Sequence, residues 1–550
     1  MSFEFSRHNL TPAQSRWERF FQIIPGLISW ANLLGIVALS IIKPIAAAIV
    51  MMAFVFYWML RLFYVTIFII LSFVRLSMEE NENWPDRLKR LDEFFQTGRI
   101  PERNQSVWAF RQWLSARFFE KSMHNLRDLP RPPLSNEIVH LIIIPVSRET
   151  DEVVRPGLES LVHQNHPKDR LMVILSVEEH APDEVKKALR KAAREYRDFF
   201  SEFLVVEHPS DLPGEARVKG ANVTFAARQA QAYFKEKDIP LERVVVSCFD
   251  ADTIVSKNYF SCLTYNFLVC RERLRASFQP IPVYQNNIWD TIGFARVLEM
   301  GASFFQLMEA TNPEKLVTFS SHSMSFKALV DVDFWPVDMI SDDSAIFWKA
   351  LIHYNGDYRV VPMYVTVSMD VVAGDSIWKT AVDVYRQKRR WAWGVENFPI
   401  VMRGFLQNKE FPVYNKFRYG WKLLEGHVAW ATWPFMLTVM GWLPTLFARQ
   451  ELLYSVVYYN APLITGLIFN MATISLLTTI ILSLCLLPRR KFKYSFLKRI
   501  QHALEWLLVP VIAIFFSGMP ALDAQTRLMF GRYMEFWVTD KKKAKERPGV

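Results

Sequence analysis

Long apolar runs near the two ends of this chain are the feature that most limits what it can fold into. The runs are 26–42 and 45–73 towards the N-terminus and 427–447 and 462–487 towards the C-terminus, each long enough to cross a bilayer as a helix. Charged residues, which make up 22% of the chain, are concentrated between them. This segregation predicts an integral membrane protein with a soluble domain inserted between transmembrane helices.

Basic residues predict how these helices are oriented. Arginines precede the first run, and basic clusters lie at 489–499 and 541–545. By the positive-inside rule all of them face the cytoplasm if the chain crosses four times and the shorter apolar stretch 504–519 lies in the interface or re-enters. Membrane orientation then explains the net charge of +10, and nucleic-acid binding is not predicted.

Strand-like and helix-like patterns alternate in the middle of the chain. Short apolar, β-branched runs predict strands, and helical patterns follow them. This alternation is typical of a mostly parallel sheet with helices on its faces. The predicted strands are 140–145, 171–176, 203–206 and 244–248, the predicted helices are 153–162, 184–200 and 221–235, and 278–280 is predicted to be a strand end that enters a loop.

Polar residues follow three of the predicted strands, at the edge of the sheet where open α/β folds bind ligands. They are Ser147 and Glu149, Glu178 and Glu179, and Asp250 and Asp252. In an extended Asp-x-Asp segment both carboxylates point the same way, which suits a divalent cation shared with substrate phosphates. Neither Asp250 nor Asp252 has a basic neighbour in sequence, so strict metal dependence is expected. The alternative is that these residues merely open turns.

Two further motifs lie downstream. Asp342 and Asp343 open a predicted helix, 344–352, where acids also serve as N-caps and compensate the helix dipole. The segment 385–394 is rich in Arg, Lys and Trp, and it is alternatively an interfacial helix at the lipid headgroups. Neither motif identifies a function by itself.

Taken in order, these motifs resemble those of the membrane-integrated family 2 glycosyltransferases, the cellulose, chitin and hyaluronan synthase group. Asp250-Ala251-Asp252 matches the family's DxD motif, Gln279-Pro280 its QxP, Asp342-Asp343 its (T/E)D, and Gln387 to Trp391 its QxxRW. Lys219 lies in a segment similar to the lysine-containing segment of the family, and 536–541 resembles the FxVTxK gating loop of cellulose synthases.

The resemblance implies an α/β domain of the GT-A type that binds a nucleotide-diphospho sugar, a UDP-sugar above all, with Mg²⁺ or Mn²⁺. It implies that Asp250 and Asp252 hold the metal and that Asp343, with Asp342 beside it, is the catalytic base of an inverting displacement. It also implies that Gln279 and Trp391 contact the acceptor. The residues implied in donor binding are Ser147, Glu149, Glu178, Glu179, Lys219, Asp250, Gln387, Arg389, Arg390, Thr539 and Lys541.

The chain departs from the family pattern in places. Residues 320–323, on the acceptor side, lack the usual glycine, and Ser341-Asp342-Asp343 replaces Thr-Glu-Asp. The metal and base chemistry stays intact, so these departures bear on which donor and which acceptor are used.

The apolar runs and the resemblance together predict seven segments. They are an N-terminal tail with two transmembrane helices (1–77), a cytosolic linker with interfacial helices (78–137), the glycosyltransferase domain (138–398), an interfacial amphipathic segment (399–426), two transmembrane helices (427–487), a basic loop with an interfacial or re-entrant helix (488–535), and a gating-loop-like segment with a basic tail (536–550).

The predicted function is transfer of a sugar to a growing β-linked polysaccharide, by a multi-pass protein of the plasma or inner membrane whose catalytic domain is cytoplasmic. Its partners would be the nucleotide-sugar donor, a polysaccharide or glycolipid acceptor and membrane lipid, and a homo-oligomer is left open. One alternative is a non-processive transferase that acts on a lipid or short acceptor. The other is a catalytically inactive transporter or scaffold, against which the intact acids and Trp391 argue.

Overall fold

The computed structural model of the chain describes residues 3–8, 10–100, 110–127, 131–447, 456–486 and 496–534. Within them, eight strands form one mixed sheet. The strands are β1 (Val139–Val146), β2 (Leu171–Glu178), β3 (Glu202–His208), β4 (Val244–Cys248), β5 (Ile254–Val255), β6 (Ala276–Val283), β7 (Ser323–Ser325) and β8 (Arg359–Ser368). Their order across the sheet is β3-β2-β1-β4-β7-β6-β8-β5.

The mostly parallel α/β sheet expected from the sequence is confirmed. Strands β3, β2, β1 and β4 are parallel neighbours, and β6 and β8 form a second parallel pair. The short strand β7 runs antiparallel between β4 and β6, and β5 runs antiparallel to β8. The sequence did not indicate β5 and β7, because two or three residues are too few for a periodic pattern.

Strand β6 continues through Pro280 and Pro282 to Val283, so the prediction that 278–280 ends a strand is wrong. All eight residues of β6 are buried. The register against β8 shifts between Gln279 and Ile281, as expected where a proline removes an N–H from the ladder. The irregularity therefore absorbs the prolines without ending the strand.

The helices cover both faces of the sheet and continue into the apolar ends of the chain. They are α1 (Pro12–Ile42), α2 (Pro44–Glu79), α3 (Trp84–Thr97), α4 (Phe110–Leu126), α5 (Asp151–Val162), α6 (Asp183–Tyr196), α7 (Lys219–Glu236), α8 (Tyr259–Val269), α9 (Gly293–Ala310), α10 (Phe326–Asp331), α11 (Asp342–His353), α12 (Ile377–Ala392), α13 (Asn397–Gln407), α14 (Val413–Thr438), α15 (Leu443–Phe447), α16 (Val456–Leu486), α17 (Phe496–Glu505), α18 (Val509–Ala513) and α19 (Met519–Met529).

Three helical stretches of the described residues are long and apolar enough to cross a membrane: Pro12–Ile42, Pro44–Glu79 and Ile500–Met529. The first two contain the apolar runs found in the sequence. The third is longer than the stretch that the sequence suggested for the interface. A continuous crossing over 427–447 was expected, but α14 ends at Thr438 and short helices follow. Gly441 and Pro444 both disfavour a continuous helix there.

Both described ends of the chain pack against the sheet domain. Phe5 is 4% exposed and belongs to the apolar core that contains residues of β1 and β4. In α1, Glu18 accepts a 3.0 Å hydrogen bond from Arg403 of α13. At the other end, the ring of Tyr533 packs edge-on against Trp393, with centroids 6.0 Å apart. The start of α1 and the end of α19 therefore lie on the same side, beside the domain.

Candidate active site

Three segments that are distant in sequence meet at the carboxyl edge of the sheet. Asp250 follows β4, Asp343 lies in the first turn of α11, and Lys219 is the first residue of α7. The Lys219 Nζ atom lies 2.8 Å from Asp250 Oδ1 and 2.9 Å from Asp343 Oδ1. A single ammonium group thus joins the first acid of the DxD motif to the acid implied as catalytic base.

Gly220 explains how Lys219 reaches this position. A Cβ atom on Gly220 would lie 2.2 Å from the carbonyl oxygen of Pro336 and 3.1 Å from Asp342 Cβ, so any side chain would push α7 away from the loop before α11. Burial by itself lowers the pKa of the Lys219 ammonium, but the carboxylates of Asp250 and Asp343 outweigh burial and raise this pKa well above its usual value. Lys219 is therefore a permanent cation in the site.

The two acids of the DxD motif have different surroundings. The Asp250 carboxylate is 32% exposed and accepts a hydrogen bond from the Ser320 hydroxyl. Asp252 is 3% exposed, and its Oδ2 accepts a 2.9 Å hydrogen bond from the backbone N–H of Asp370. Of the two acids, Asp250 is therefore the more accessible to a ligand that enters from solvent.

The residues fit a divalent cation only as a site that substrate completes. Among the described residues, no group of three or more His, Cys, Asp or Glu side chains is arranged to hold a metal, and Mg²⁺ commonly takes one or two carboxylates plus substrate phosphates. The Lys219 ammonium already lies between the Asp250 and Asp343 carboxylates, a position that stabilises a cation. Asp250 has no basic neighbour in sequence, but α7 brings Lys219 beside it in the fold, so strict metal dependence stays a prediction.

The adjacent acids Asp342 and Asp343 differ in their access to the site. Asp342 is 3% exposed, and burial, followed by the neighbouring Asp343 charge, raises its pKa well above the usual value. The Asp343 side chain is 23% exposed and faces Lys219. Asp343 is thus the one of the two that an acceptor hydroxyl can approach, while burial favours a neutral Asp342.

The segment 318–322 lines the site between these acids. Ser321 has φ +61°, in the left-handed region that favours glycine, at the segment where the usual family glycine is missing. Buried Gln279 accepts a 2.8 Å hydrogen bond from the backbone N–H of Phe319. Gln279 therefore fixes this loop by a hydrogen bond from within the sheet. Its effect on the acceptor side would then be indirect, through the position of the loop.

Residues of the QxxRW segment divide between two environments. The Trp391 ring packs on Tyr284, with centroids 5.8 Å apart, and the Nζ atom of Lys388 lies 3.4 Å from the Trp391 ring centroid. Gln387 is buried with Lys388. Arg389 points to α19 instead, where its Nη1 atom lies 2.9 Å from Asp523 Oδ2. Arg389 is thus paired with Asp523, and its contact with the donor diphosphate stays a prediction.

Tyr284 is a site residue that the sequence did not indicate. Burial raises the pKa of its hydroxyl well above the usual value, the charges of Glu299, Asp250 and Asp252 act in the same direction, and Arg390 acts against them. Tyr284 therefore lies between the DxD acids and the QxxRW segment. It follows β6 directly, so the rule that site residues follow strands could have identified it.

The acids expected on the donor side mainly hold their own loops. Glu149 Oε2 accepts hydrogen bonds from the N–H groups of Ser147 (2.7 Å) and Arg148 (3.0 Å), and Glu179 accepts one from the N–H of Ser210. Glu178 lies 3.0 Å from Nδ1 of His208, whose Nε2 atom lies 2.9 Å from Glu215. His208 and Glu215 were not indicated by the sequence. Thr539 and Lys541 lie outside the described residues.

Part of this chain matches a known protein family. Residues 245–514 match the family model described as "Glycosyl transferase family group 2". The poly-beta-1,6-N-acetyl-D-glucosamine synthases of Staphylococcus aureus strains COL and N315 are each 29% identical over 177 residues, which cover 31% of this chain. The match spans 39% of the length of these relatives.

Solved structures show weaker similarity. The mannosyltransferase PcManGT from Pyrobaculum calidifontis, in complex with GDP-Man and Mn²⁺, is 14% identical with a TM-score of 0.41, over 72% of this chain and 94% of that one. TarS 1–349 of Staphylococcus aureus with UDP-GlcNAc is 14% identical with a TM-score of 0.34, over 74% and 95%. Similarity at this level has no bearing on function. The family match and the synthase relatives together show that this chain carries a family 2 glycosyltransferase domain.

Proposed function

We propose that this protein transfers a sugar from a nucleotide-diphospho sugar, with a UDP-sugar as the favoured donor, to a growing β-linked polysaccharide at the cytoplasmic face of a membrane. The observation that carries the proposal is the meeting of Asp250 and Asp343 across Lys219 at the carboxyl edge of the sheet. The carboxylate proposed to bind a phosphate-bound cation and the solvent-accessible carboxylate proposed as the base thus contact the same lysine side chain. The synthase relatives support a polysaccharide product.

In this proposal Asp343 takes the proton of the acceptor hydroxyl while the hydroxyl oxygen attacks the anomeric carbon of the donor. The bond from that carbon to the diphosphate breaks, the nucleoside diphosphate leaves, and the configuration inverts. Mg²⁺ or Mn²⁺, held by Asp250 and Asp252 and completed by donor phosphates, would neutralise charge on the leaving diphosphate. Trp391, supported by Tyr284, offers a flat apolar face to the acceptor sugar.

Lys219 contributes to the same site from the chain itself. Its ammonium donates a 2.9 Å hydrogen bond to Asp343, and it lies beside the Asp250 carboxylate proposed to face the donor phosphates. Arg390 and Gln387 remain proposed donor contacts, as do Ser147, Glu149, Glu178 and Glu179 at the ends of β1 and β2. Arg389, which is paired with Asp523, would reach the donor only after leaving that contact.

The proposed cytoplasmic location rests on the basic residues near the chain ends, which the positive-inside rule assigns to the cytoplasm, and on the packing of those ends against the domain. Residues 3–8 pack on the domain, so α1 leaves from the domain side and α2 returns to it. Glu505 lies 2.8 Å from Arg296 of α9, and Leu528 packs in a cluster with Trp393. The stretch Ile500–Met529 thus contacts the domain at both ends, which supports its placement along the interface.

The test is a panel of radiolabelled nucleotide sugars with the purified full chain, followed by linkage analysis of the product. Transfer that is lost in the Asp343→Asn variant supports the proposal. Absence of transfer from every donor in the panel, with Mg²⁺ or Mn²⁺ present, contradicts it. Product length under excess donor then separates a processive synthase from a transferase that adds one sugar, because a processive enzyme yields long polymer early.

A further inference from the structure

Glu396 is a buried carboxylate, 3% exposed, that lies just after the QxxRW segment and outside every motif of the family. Its Oε1 atom accepts hydrogen bonds from the N–H of Ile340 (3.1 Å), the N–H of Ser341 (3.0 Å) and the Ser341 hydroxyl (2.8 Å). Its Oε2 atom accepts one from Nε1 of Trp393, at 2.9 Å. Both oxygens of one carboxylate are therefore used as acceptors.

The groups that Glu396 holds come just before the proposed catalytic base, Asp343. Ser341 precedes Asp342, the first residue of α11, and Asp343 follows it. The next residue after Glu396, Asn397, donates hydrogen bonds to the hydroxyls of Ser341 (3.1 Å) and Ser344 (3.0 Å). Two consecutive side chains, Glu396 and Asn397, thus form hydrogen bonds with the start of α11.

The other end of this network leads to the acceptor platform and to the C-terminal helix. Trp393 lies two residues after Trp391, and its ring contacts Tyr533. A carboxylate next to the first N–H groups of a helix is also favoured by the helix dipole. Glu396 therefore links the position of Trp391, the position of α11 and the residues after α19 through a single carboxyl group.

We propose that Glu396 is a positioning residue that fixes the catalytic base Asp343 relative to the acceptor platform Trp391. The inference rests on the proposed function and deepens it. Glu396 touches neither donor nor acceptor and acts through the backbone of Ile340 and Ser341. Its removal displaces the base more than the donor-binding acid Asp250, because Asp250 follows β4 and Glu396 makes its hydrogen bonds to Ile340 and Ser341 before α11.

The test is Glu396→Gln in the full chain, assayed with the donor that the panel identifies. Glutamine keeps the size of the side chain, but its NH₂ group cannot accept a hydrogen bond. In one orientation it faces the Trp393 N–H, and in the other it replaces the oxygen that accepts from Ile340 and Ser341. We expect kcat to fall by about 10- to 100-fold, since small displacements of reacting groups have effects of this size. The KM for the donor should change by less than about threefold. Hydrogen exchange at 339–345 should become faster.

Glu18→Gln is the matched control. Glu18 is also a buried carboxylate, and its partner is Arg403, which joins α1 to α13, not a backbone group before α11. This control should keep kcat and the exchange rate at 339–345. Equal losses of kcat in both variants would overturn the inference, because the effect would then be general destabilisation. So would a Glu396→Gln enzyme with kcat within twofold of wild type.

Two further measurements keep the inference testable. If Glu396→Gln does not fold, Ser341→Ala removes the hydroxyl that joins Glu396 to Asn397, and a fall in kcat of about 3- to 10-fold is expected for lost hydrogen bonds of this kind. An unchanged kcat would overturn the inference. If the wild-type chain transfers no sugar, the proposed function fails, and exchange at 339–345 still decides whether Glu396 holds the start of α11.

Discussion

Replacing Lys219 by methionine tests whether the lysine stands in for a cation in the site. Each of its two charged hydrogen bonds is worth about 1.5–3 kcal/mol, but the acids are 32% and 23% exposed, so screening reduces both values. Methionine also removes the burial penalty of the ammonium. We therefore expect a net loss of about 1–3 kcal/mol in the free energy of unfolding, or about 2–10 °C in Tm for a domain of this size.

The assay is thermal unfolding of the full chain in detergent, in EDTA and in millimolar Mg²⁺ or Mn²⁺. In EDTA, Lys219→Met should melt below wild type, because the carboxylates of Asp250 and Asp343 then repel each other without the ammonium. Added metal should raise the Tm of the variant more than that of wild type, since a cation that binds the folded state stabilises it. Metal and lysine would then be competing for the same carboxylates.

Lys388→Met is the matched control for this experiment. Lys388 is likewise buried and paired, but its partner, at 2.8 Å, is Glu299 and not an acid of the DxD motif, and it packs on the Trp391 ring. Its Tm should fall in EDTA, and added metal should not restore it. A Lys219→Met variant with the Tm of wild type in EDTA, or with a deficit that metal leaves unchanged, would refute the idea that Lys219 occupies a cation position.

Three other outcomes are expected. Asp343→Asn should lower kcat by about 10²–10⁴-fold and keep donor affinity, measured by calorimetry, because the base acts on the acceptor; a near-normal rate would move the base elsewhere. Burial lowers the pKa of His208, but Glu178 and Glu215 outweigh it and raise this pKa. The stability from protonated His208 is thus complete below about pH 6.5 and lost as pH rises through the raised value, so the Tm deficit of His208→Gln should be larger at pH 6 than at pH 9; a deficit independent of pH would contradict this. Removing 536–550 should raise the donor KM and lower kcat if this segment gates the site, and unchanged kinetics in detergent would contradict gating.

Local patterns predicted much of the fold. The apolar runs predicted α1 and α2. The β-branched run 244–248 predicted β4 with the acids at its end, because burial on both faces makes a strand apolar throughout. The continuation of β6 through Pro280 and the break after Thr438 were not predicted. The first depends on a neighbouring strand, since a register shift against β8 tolerates the prolines. The second comes just before Gly441 and Pro444, which disfavour a continuous helix.

By itself, the sequence determined which residue types the site contains, because motif residues such as Asp250, Asp343 and Trp391 are set by their order along the chain. The tertiary structure alone decided how they interact. Lys219 bridges two acids from segments far apart in sequence, Arg389 pairs with Asp523 of α19, and Glu396 accepts hydrogen bonds from the residues before α11. These contacts join side chains on different elements, and their geometry depends on how helices pack against the sheet, which no local spacing of residues encodes.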